Sequence, residues 1–369
     1  MNKTLLTTLC ALLLVVAMIG CEREVVETII VNDTGNDTDC FTCHSGSDLG
    51  LAMEAISDQY GYSIHASNDN TDRNRLGASY YASCEKCHTS EGFIAEVTGV
   101  PASGEYFSSI NCFTCHTPHE NGDLSVRVTE AITLADGTAY NKGQSNLCAS
   151  CHQSRRDVNV YVAADTTGTF TIPGHFGPHY GNQGDMLIGA NAYEYATYTY
   201  YSSAHKNVTV DGCIDCHMAA GRHASYGGHS WNMISEDKGY ELTQGCNIPS
   251  CHNSGISDLD LTAQADFDWD GTVEGIQTEV HGLLDSLQIH LEAAGFVDST
   301  GHSISGVVIP SQDSAGALYN FIYVEDDRSF GVHNTDYVVG LLQSSINFLA
   351  TGDPNGTPAR NSDIVASHK

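Results

Sequence analysis

The stretch Cys40 to His44 reads CFTCH, and its Cys-x-x-Cys-His spacing returns four times, at Cys84-Cys87-His88, Cys112-Cys115-His116, Cys148-Cys151-His152 and Cys213-Cys216-His217. This is the spacing that attaches haem c: two thiols add to the porphyrin's vinyl groups and the adjoining imidazole ligates the iron. All three side chains must reach one ring, so they belong within about a turn and a quarter of helix. A zinc site would need two cysteine pairs to converge, and it would not need His after every second Cys. A disulfide framework would not call for that His either.

The cysteine inventory extends the series. Of 14 cysteines, ten sit in these five motifs, Cys10 and Cys21 lie near the N-terminus, and Cys246 and Cys251 remain. In Cys246-Asn247-Ile248-Pro249-Ser250-Cys251-His252 the Cys-His step is intact and only the first Cys is displaced. Read as an expanded attachment site, it brings the expected cofactor set to six haems c. Read otherwise, Cys246 and Cys251 form a disulfide that would leave His252 unexplained.

Six of the 18 histidines follow a cysteine: His44, His88, His116, His152, His217 and His252. Twelve others are available as second axial ligands, and no Met recurs at a matching position. Bis-His ligation is the economical expectation; it saturates the iron and lowers its potential relative to His/Met. His119 lies only three residues after His116, too close to cross the ring to the far face of the same iron, so it would serve a neighbouring haem.

The segments NCFTCHTPHE (111–120), GPHYGNQGDML (177–187), SSAHKNVTVDGCIDCHM (202–218), GGHSW (227–231) and GVHNTDYVVGLLQSSI (331–346) resemble parts of the multihaem cytochromes c. That superfamily includes pentahaem nitrite reductases and extracellular hexahaem cytochromes that polymerise into nanowires. The resemblance runs patchily over residues 40–350. It implies distal iron ligation by His119, His179, His205, His229 and His333, with His65 similar to an early distal His and His175 the rival of His179. His223, His281, His290, His302 and His368 are left as ordinary histidines. The fold implied is mostly irregular and α-helical, cored by haem, with little regular secondary structure and a helical C-terminal part.

A second kind of site is suggested after the last motif. Asp266, Asp268 and Asp270 alternate before Gly271, as in the opening of a calcium loop. Gln277 stands where the bidentate Glu would be, so Glu274 or Glu279 would have to substitute. The alternative is an Asp-rich turn that caps the next helix.

These sites need elements to position them. Residues 1–20 carry Lys3 and an apolar run from Leu5 to Ile19 ahead of Gly20-Cys21, the pattern of a lipoprotein signal cleaved before Cys21. Cys21 would then be a lipid site anchoring the chain to a membrane surface; an ordinary secretory signal would export it without the lipid. Residues 21–39 read as a tether and 40–255 as the hexahaem domain. Residues 256–369 read as a helical part with the calcium loop, packed on the haem domain. Val273, Ile276, Val280, Leu283, Leu284, Leu287 and Leu291 recur at helical spacing within 273–295, and a second helix is expected near 337–349. Thirty-six glycines and weak periodicity before residue 272 suggest that porphyrin plates supply most of the core. The Tyr-rich stretch 191–205 is expected to pack on haem edges.

A net charge of −30 argues against nucleic acid as a partner. The leading functional expectation is extracellular electron transfer through six bis-His haems, in a filament of head-to-tail copies. Its partners would be copies of the chain, upstream electron-donor cytochromes and extracellular acceptors such as metal oxides. A monomeric periplasmic or cell-surface carrier is the first alternative. A reductase is the second, though every motif keeps His where the nitrite reductases place Lys at the active haem.

Overall fold

The structure is a computed structural model; it describes residues 48–66, 84–102, 107–117, 124–235 and 237–356. Of the unit formed by residues 1–53, only 48–53 are described, as the start of helix α1 (Asp48–Gly61). The signal, the tether, Cys21, the motif Cys40-Cys43-His44, His119 and His368 lie outside the described residues.

Between residues 84 and 217 the described elements are short. Helices α2 (Glu85–His88), α3 (Ser90–Thr98), α4 (Cys112–Cys115), α5 (Asn146–Ala149), α6 (Val158–Tyr161), α7 (Gln183–Ile188), α8 (His205–Val208) and α9 (Cys213–His217) are separated by turns. Among the described residues, strand pairing takes the form of two-residue antiparallel ladders, β1 (Ile132–Thr133) with β2 (Ala139–Tyr140), β3 (Phe170–Thr171) with β6 (Val308–Ile309), and β4 (Ile234–Ser235) with β5 (Tyr240–Glu241), and of isolated bridges. The fold is irregular and α-helical. Regularity is concentrated in three longer C-terminal helices: α10 (Ile276–Ala293), α11 (Gln312–Asp327) and α12 (Thr335–Thr351).

Local chemistry explains their limits. Asp260 caps α10 from a distance, its Oδ1 accepting the Gln277 N–H at 2.7 Å and its Oδ2 the Thr278 hydroxyl at 2.7 Å. Ser311 caps α11 by accepting the Ser314 N–H at 3.1 Å. Gly352 closes α12 in the left-handed conformation, with φ 79°. The helical expectation near 273–295 is met by α10 and that near 337–349 by α12. Helix α11 has no counterpart in the sequence reading because it is buried nearly all round, from Ser314 to Asp327, and so shows no one-sided apolar stripe.

A large side-chain cluster forms around α10, α11 and α12, and it draws in Val158, Val162, Phe170, Ile172, Phe176 and Met186 from the motif-bearing half. The Tyr-rich stretch corrects the expectation of haem-edge packing. Tyr193 and Tyr195 enter this cluster, and Tyr195 packs on Phe348 at a centroid separation of 5.1 Å. Their hydroxyls bond to α11 instead: Tyr193 to the Asp313 carboxylate and Tyr195 to the Asp313 carbonyl at 3.1 Å. Among the described residues, a second, smaller cluster in the motif-bearing half has Leu134, Tyr140, Ala149, Ile188 and Ala190 as buried members.

Asn320 welds the two parts. It is fully buried; its Oδ1 accepts the Tyr193 N–H at 2.8 Å, and its amide donates to the Tyr193 carbonyl at 2.9 Å and to Ser345 Oγ at 3.1 Å. Asn320→Leu strands both backbone groups of Tyr193 in an apolar interior, each at a cost of about 1–3 kcal/mol. A destabilisation of about 2–4 kcal/mol is expected, measured as a lowered denaturation midpoint in circular dichroism, with the haem absorption of the native state unchanged.

Candidate haem-iron centres

The motif cysteines sit on or beside single helical turns. Cys112 and Cys115 bound α4, Cys213 and Cys216 lie on α9, Cys148 lies on α5, and Cys84 precedes α2. Asn111 starts α4 by accepting the Phe113 N–H at 3.0 Å, and its own N–H donates to Thr114 Oγ1 at 2.8 Å.

Each described motif histidine faces a second histidine from a distant segment. Ring centroids are 6.1 Å apart for His152 and His65, 6.2 Å for His88 and His179, and 6.4 Å for His116 and His229. They are 6.1 Å apart for His252 and His205, and 6.2 Å for His217 and His333. An imidazole–metal bond is about 2.0 Å and the centroid lies about 1.1 Å behind the bonded nitrogen, so two rings sharing one ion stand about 6.2 Å apart. The spacing fits a six-coordinate iron between each pair. It is also too wide for direct ring packing at the closer end of the aromatic range.

Several of these rings are aimed by their other nitrogen. His205 Nδ1 lies 2.7 Å from the Val332 carbonyl, His217 Nδ1 2.9 Å from the Trp231 carbonyl, and His152 Nδ1 3.1 Å from Gln183 Oε1. His333 Nδ1 lies 2.6 Å from Asp327 Oδ1. A carbonyl or carboxylate oxygen can only accept, so Nδ1 carries the proton and Nε2 presents its lone pair to the partner ring. Burial, reinforced by the facing His152, lowers His65 to about 4. Burial, then Arg155 and His88, lowers His179 to about 4. Both stay neutral, the form that binds metal.

The centres adjoin one another. Thiols of successive centres lie close enough to perturb one another: Cys87 and Cys151, Cys148 and Cys213, and Cys216 and Cys246. This gives a row of four motifs in the order 84–88, 148–152, 213–217, 246–252. The motif 112–116 joins beside the second of these through Trp231. That ring lies 5.0 Å from His65 and 5.7 Å from His229, while the Trp231 carbonyl holds His217.

The wide motif follows the same plan. Its backbone closes a turn in which the His252 N–H donates to the Cys246 carbonyl at 3.1 Å and the Cys251 N–H to the Ile248 carbonyl at 3.0 Å. Cys246 and Cys251 are both free of disulfide, and His252 faces His205.

No family model matches the chain. Among curated proteins it is similar to the C-type polyheme cytochrome OmcB of Geobacter sulfurreducens, 24% identical over 364 aligned positions, with 79% of this chain and 46% of that protein covered. It is also similar to the C-type polyheme cytochrome OmcC of the same organism, 24% identical over 382 aligned positions, with 91% and 45% covered. The chain is thus similar to multihaem c-type cytochromes. It spans about half the length of these relatives. Among solved structures it is similar to the outer cell wall cytochrome OcwA, at 19% identity and a TM-score of 0.49, covering 80% of this chain and 50% of that one.

Among the described residues, three of the other histidines face no motif histidine. His302 bonds Thr300 Oγ1 at 2.7 Å, His223 bonds Ser225 Oγ at 3.0 Å, and His281 packs on Phe330 at 4.1 Å. The anchors Gln183 and Asp327, and the carbonyls of Val332 and Trp231, carry no sequence signal beyond lying in or near the quoted segments; only tertiary contact reveals them.

In the acidic loop, Asp266, Asp268 and Glu279 cluster, and Asp268, Asp270 and Glu274 form an overlapping group. Glu279, on the first turn of α10, accepts the N–H groups of Phe267 at 2.7 Å, Asp268 at 3.1 Å and Glu274 at 2.9 Å, which folds the loop around it. Asp268 is 5% exposed. Burial, and the neighbouring carboxylates of Asp270, Glu279 and Asp266, push it up to about 6 against the Asp270 N–H bond that lowers it.

His65→Ala removes the ring opposite His152. One haem-equivalent of high-spin ferric signal is expected in electron paramagnetic resonance, with the haem count unchanged. His223→Ala, at a ring that faces no motif histidine, is expected to leave every haem low-spin.

Proposed function

We propose that this chain holds six haems c, each between two histidines, and conducts electrons outside the cell. The observation that carries the reading is the set of five facing pairs: His152 with His65, His88 with His179, His116 with His229, His252 with His205, and His217 with His333. The motif cysteines Cys84, Cys87, Cys112, Cys115, Cys148, Cys151, Cys213, Cys216, Cys246 and Cys251 would hold the porphyrins as thioethers, and Cys40, Cys43 and His44 would hold the sixth, with His119 the remaining distal candidate. Bound haem supplies a one-electron ferric/ferrous couple at each centre. The protein's part is to attach, orient and space these groups. Rings fixed through Nδ1 need little reorganisation when charge changes, and neighbouring motifs whose sulfurs lie near one another keep successive centres close.

Two imidazoles at each centre leave no open position for a substrate, which supports electron transfer over catalysis. The N-terminal segment through Cys21 supports export with a lipid anchor, and no helix among the described residues is long and apolar enough to cross a membrane. Upstream donor cytochromes and extracellular acceptors such as metal oxides are the partners that suit an exterior chain of redox groups. The hexahaem pattern supports assembly of copies head to tail, a heterologous contact that generates open filaments. Intact mass of the purified protein is expected to show six haems, and negative-stain microscopy of the surface fraction to show uniform filaments. Five haems would return Cys246 and Cys251 to another role, and dispersed particles would reduce the assembly to a monomeric carrier.

The acidic loop is read as a calcium site formed by Asp266, Asp268, Asp270 and Glu274, with Glu279 organising it. Asp266 Oδ1 is buried without a hydrogen-bond partner, as a ligand-ready oxygen would be. Because the folded state raises Asp268 to about 6, ionising it costs stability above the ordinary carboxylate range, and a cation offsets that cost. Calcium is expected to raise the melting temperature at pH 7, chelator to reverse it, and the increment to shrink as pH falls below about 6. No increment at pH 7 would leave the loop as a helix cap.

A further inference from the structure

The anchors behind the rings differ in charge. Three of the four described above are neutral: the Val332 carbonyl, the Trp231 carbonyl and the Gln183 amide. The fourth is a carboxylate. Asp327 Oδ1 lies 2.6 Å from His333 Nδ1, and the Asp327 side chain is 0% exposed. Its Oδ2 accepts the Ser329 hydroxyl and the Ser329 N–H, the latter at 3.3 Å. Ser329 Oγ in turn accepts the His333 N–H at 3.1 Å. Among the described residues no Lys or Arg forms an ion pair with Asp327. A buried negative charge therefore rests directly behind the ring that faces His217.

We propose that Asp327 makes the centre between His217 and His333 the lowest-potential of the five described centres. The inference rests on the reading that these two rings share one iron. A carboxylate that accepts the Nδ1 proton draws it away from the ring, and the ring gains imidazolate character. Such a ring is a stronger donor and favours the ferric over the ferrous state. The fixed charge acts in the same direction, and burial leaves it weakly screened. Neutral amide and carbonyl acceptors polarise their rings less. The centre's place gives the effect a consequence. Cys213 lies near Cys148 on one side and Cys216 near Cys246 on the other, so the site hardest to reduce stands inside the row and not at its end.

The test is a potentiometric titration of the full-length holoprotein, followed by visible and paramagnetic resonance spectra, for the native chain, Asp327→Asn and Asp327→Glu. Asp327→Asn keeps an acceptor and removes the charge. It is expected to raise the lowest couple by tenfold or more in its reduction constant, about 59 mV for one electron, while haem count and low-spin signals stay unchanged. Asp327→Glu is expected to stay near the native value. Ser329→Ala strips a hydrogen bond from Oδ2, concentrates charge on the carboxylate, and is expected to move the same couple down; this variant decides the matter if Asp327→Asn does not fold. An unchanged lowest couple in Asp327→Asn, or in Ser329→Ala where only that variant folds, with all haems low-spin, would overturn the proposal. Failure of the underlying reading looks different: His333→Ala would then leave every haem low-spin.

Discussion

Two imidazoles about 6 Å apart, face to face across the place of one ion, are a demanding constraint on a chain. Weak edge contact between rings does not fix such a separation, and four of these rings, His152, His205, His217 and His333, are held from behind through Nδ1. In every described pair the two histidines come from segments far apart in sequence, and each pair therefore pins two remote parts of the chain. The short helices, the two-residue ladders and the many turns of the motif-bearing half follow from this. Their packing serves to place rings, and long regular elements would carry the chain past the positions it must reach.

The C-terminal helices belong to the same constraint. Helix α11 ends at Asp327 and helix α12 begins at Thr335, and the link between them carries Ser329, the Val332 carbonyl and His333. Val332 aims His205, while Asp327 aims His333. One helix–helix connection thus fixes a ring in each of two centres, and the apolar cluster around α10, α11 and α12 keeps that connection in place. Trp231 plays the corresponding part on the other side. It sits in the left-handed conformation at φ 55°, uncommon for a bulky residue, and this turns its carbonyl to His217 while its ring contacts His65 and His229. Local strain at one residue is offset by contacts at three centres.

What was legible in the sequence was what covalent chemistry imposes locally. Attachment of one porphyrin needs two sulfurs and an imidazole within one turn, so the motifs stand out at fixed spacing, and even the widened loop keeps Cys251 next to His252. The candidate distal histidines rest on resemblance, and no local rule says that His65 belongs opposite His152 and not another motif histidine; tertiary structure alone sets the pairing. His179 and His175 illustrate the point, being near neighbours that both adopt positive φ, of which only His179 faces His88. Helix α11 has no sequence signature because a helix buried on all sides shows no stripe, and aromatic composition alone does not say which apolar surface the tyrosines of 193–200 meet. Asp327 and Gln183 were silent for the same reason as the pairing: an anchor is defined by what it touches.

The central claim is that each facing histidine pair shares one haem iron. An anomalous-difference map at the iron edge from crystals of the holoprotein tests it most directly. The account predicts an iron peak midway between the rings of each of the five pairs, on the line joining their Nε2 atoms. An iron displaced from that line, with His65, His179, His205, His229 or His333 turned to solvent and another group in its place, would contradict it.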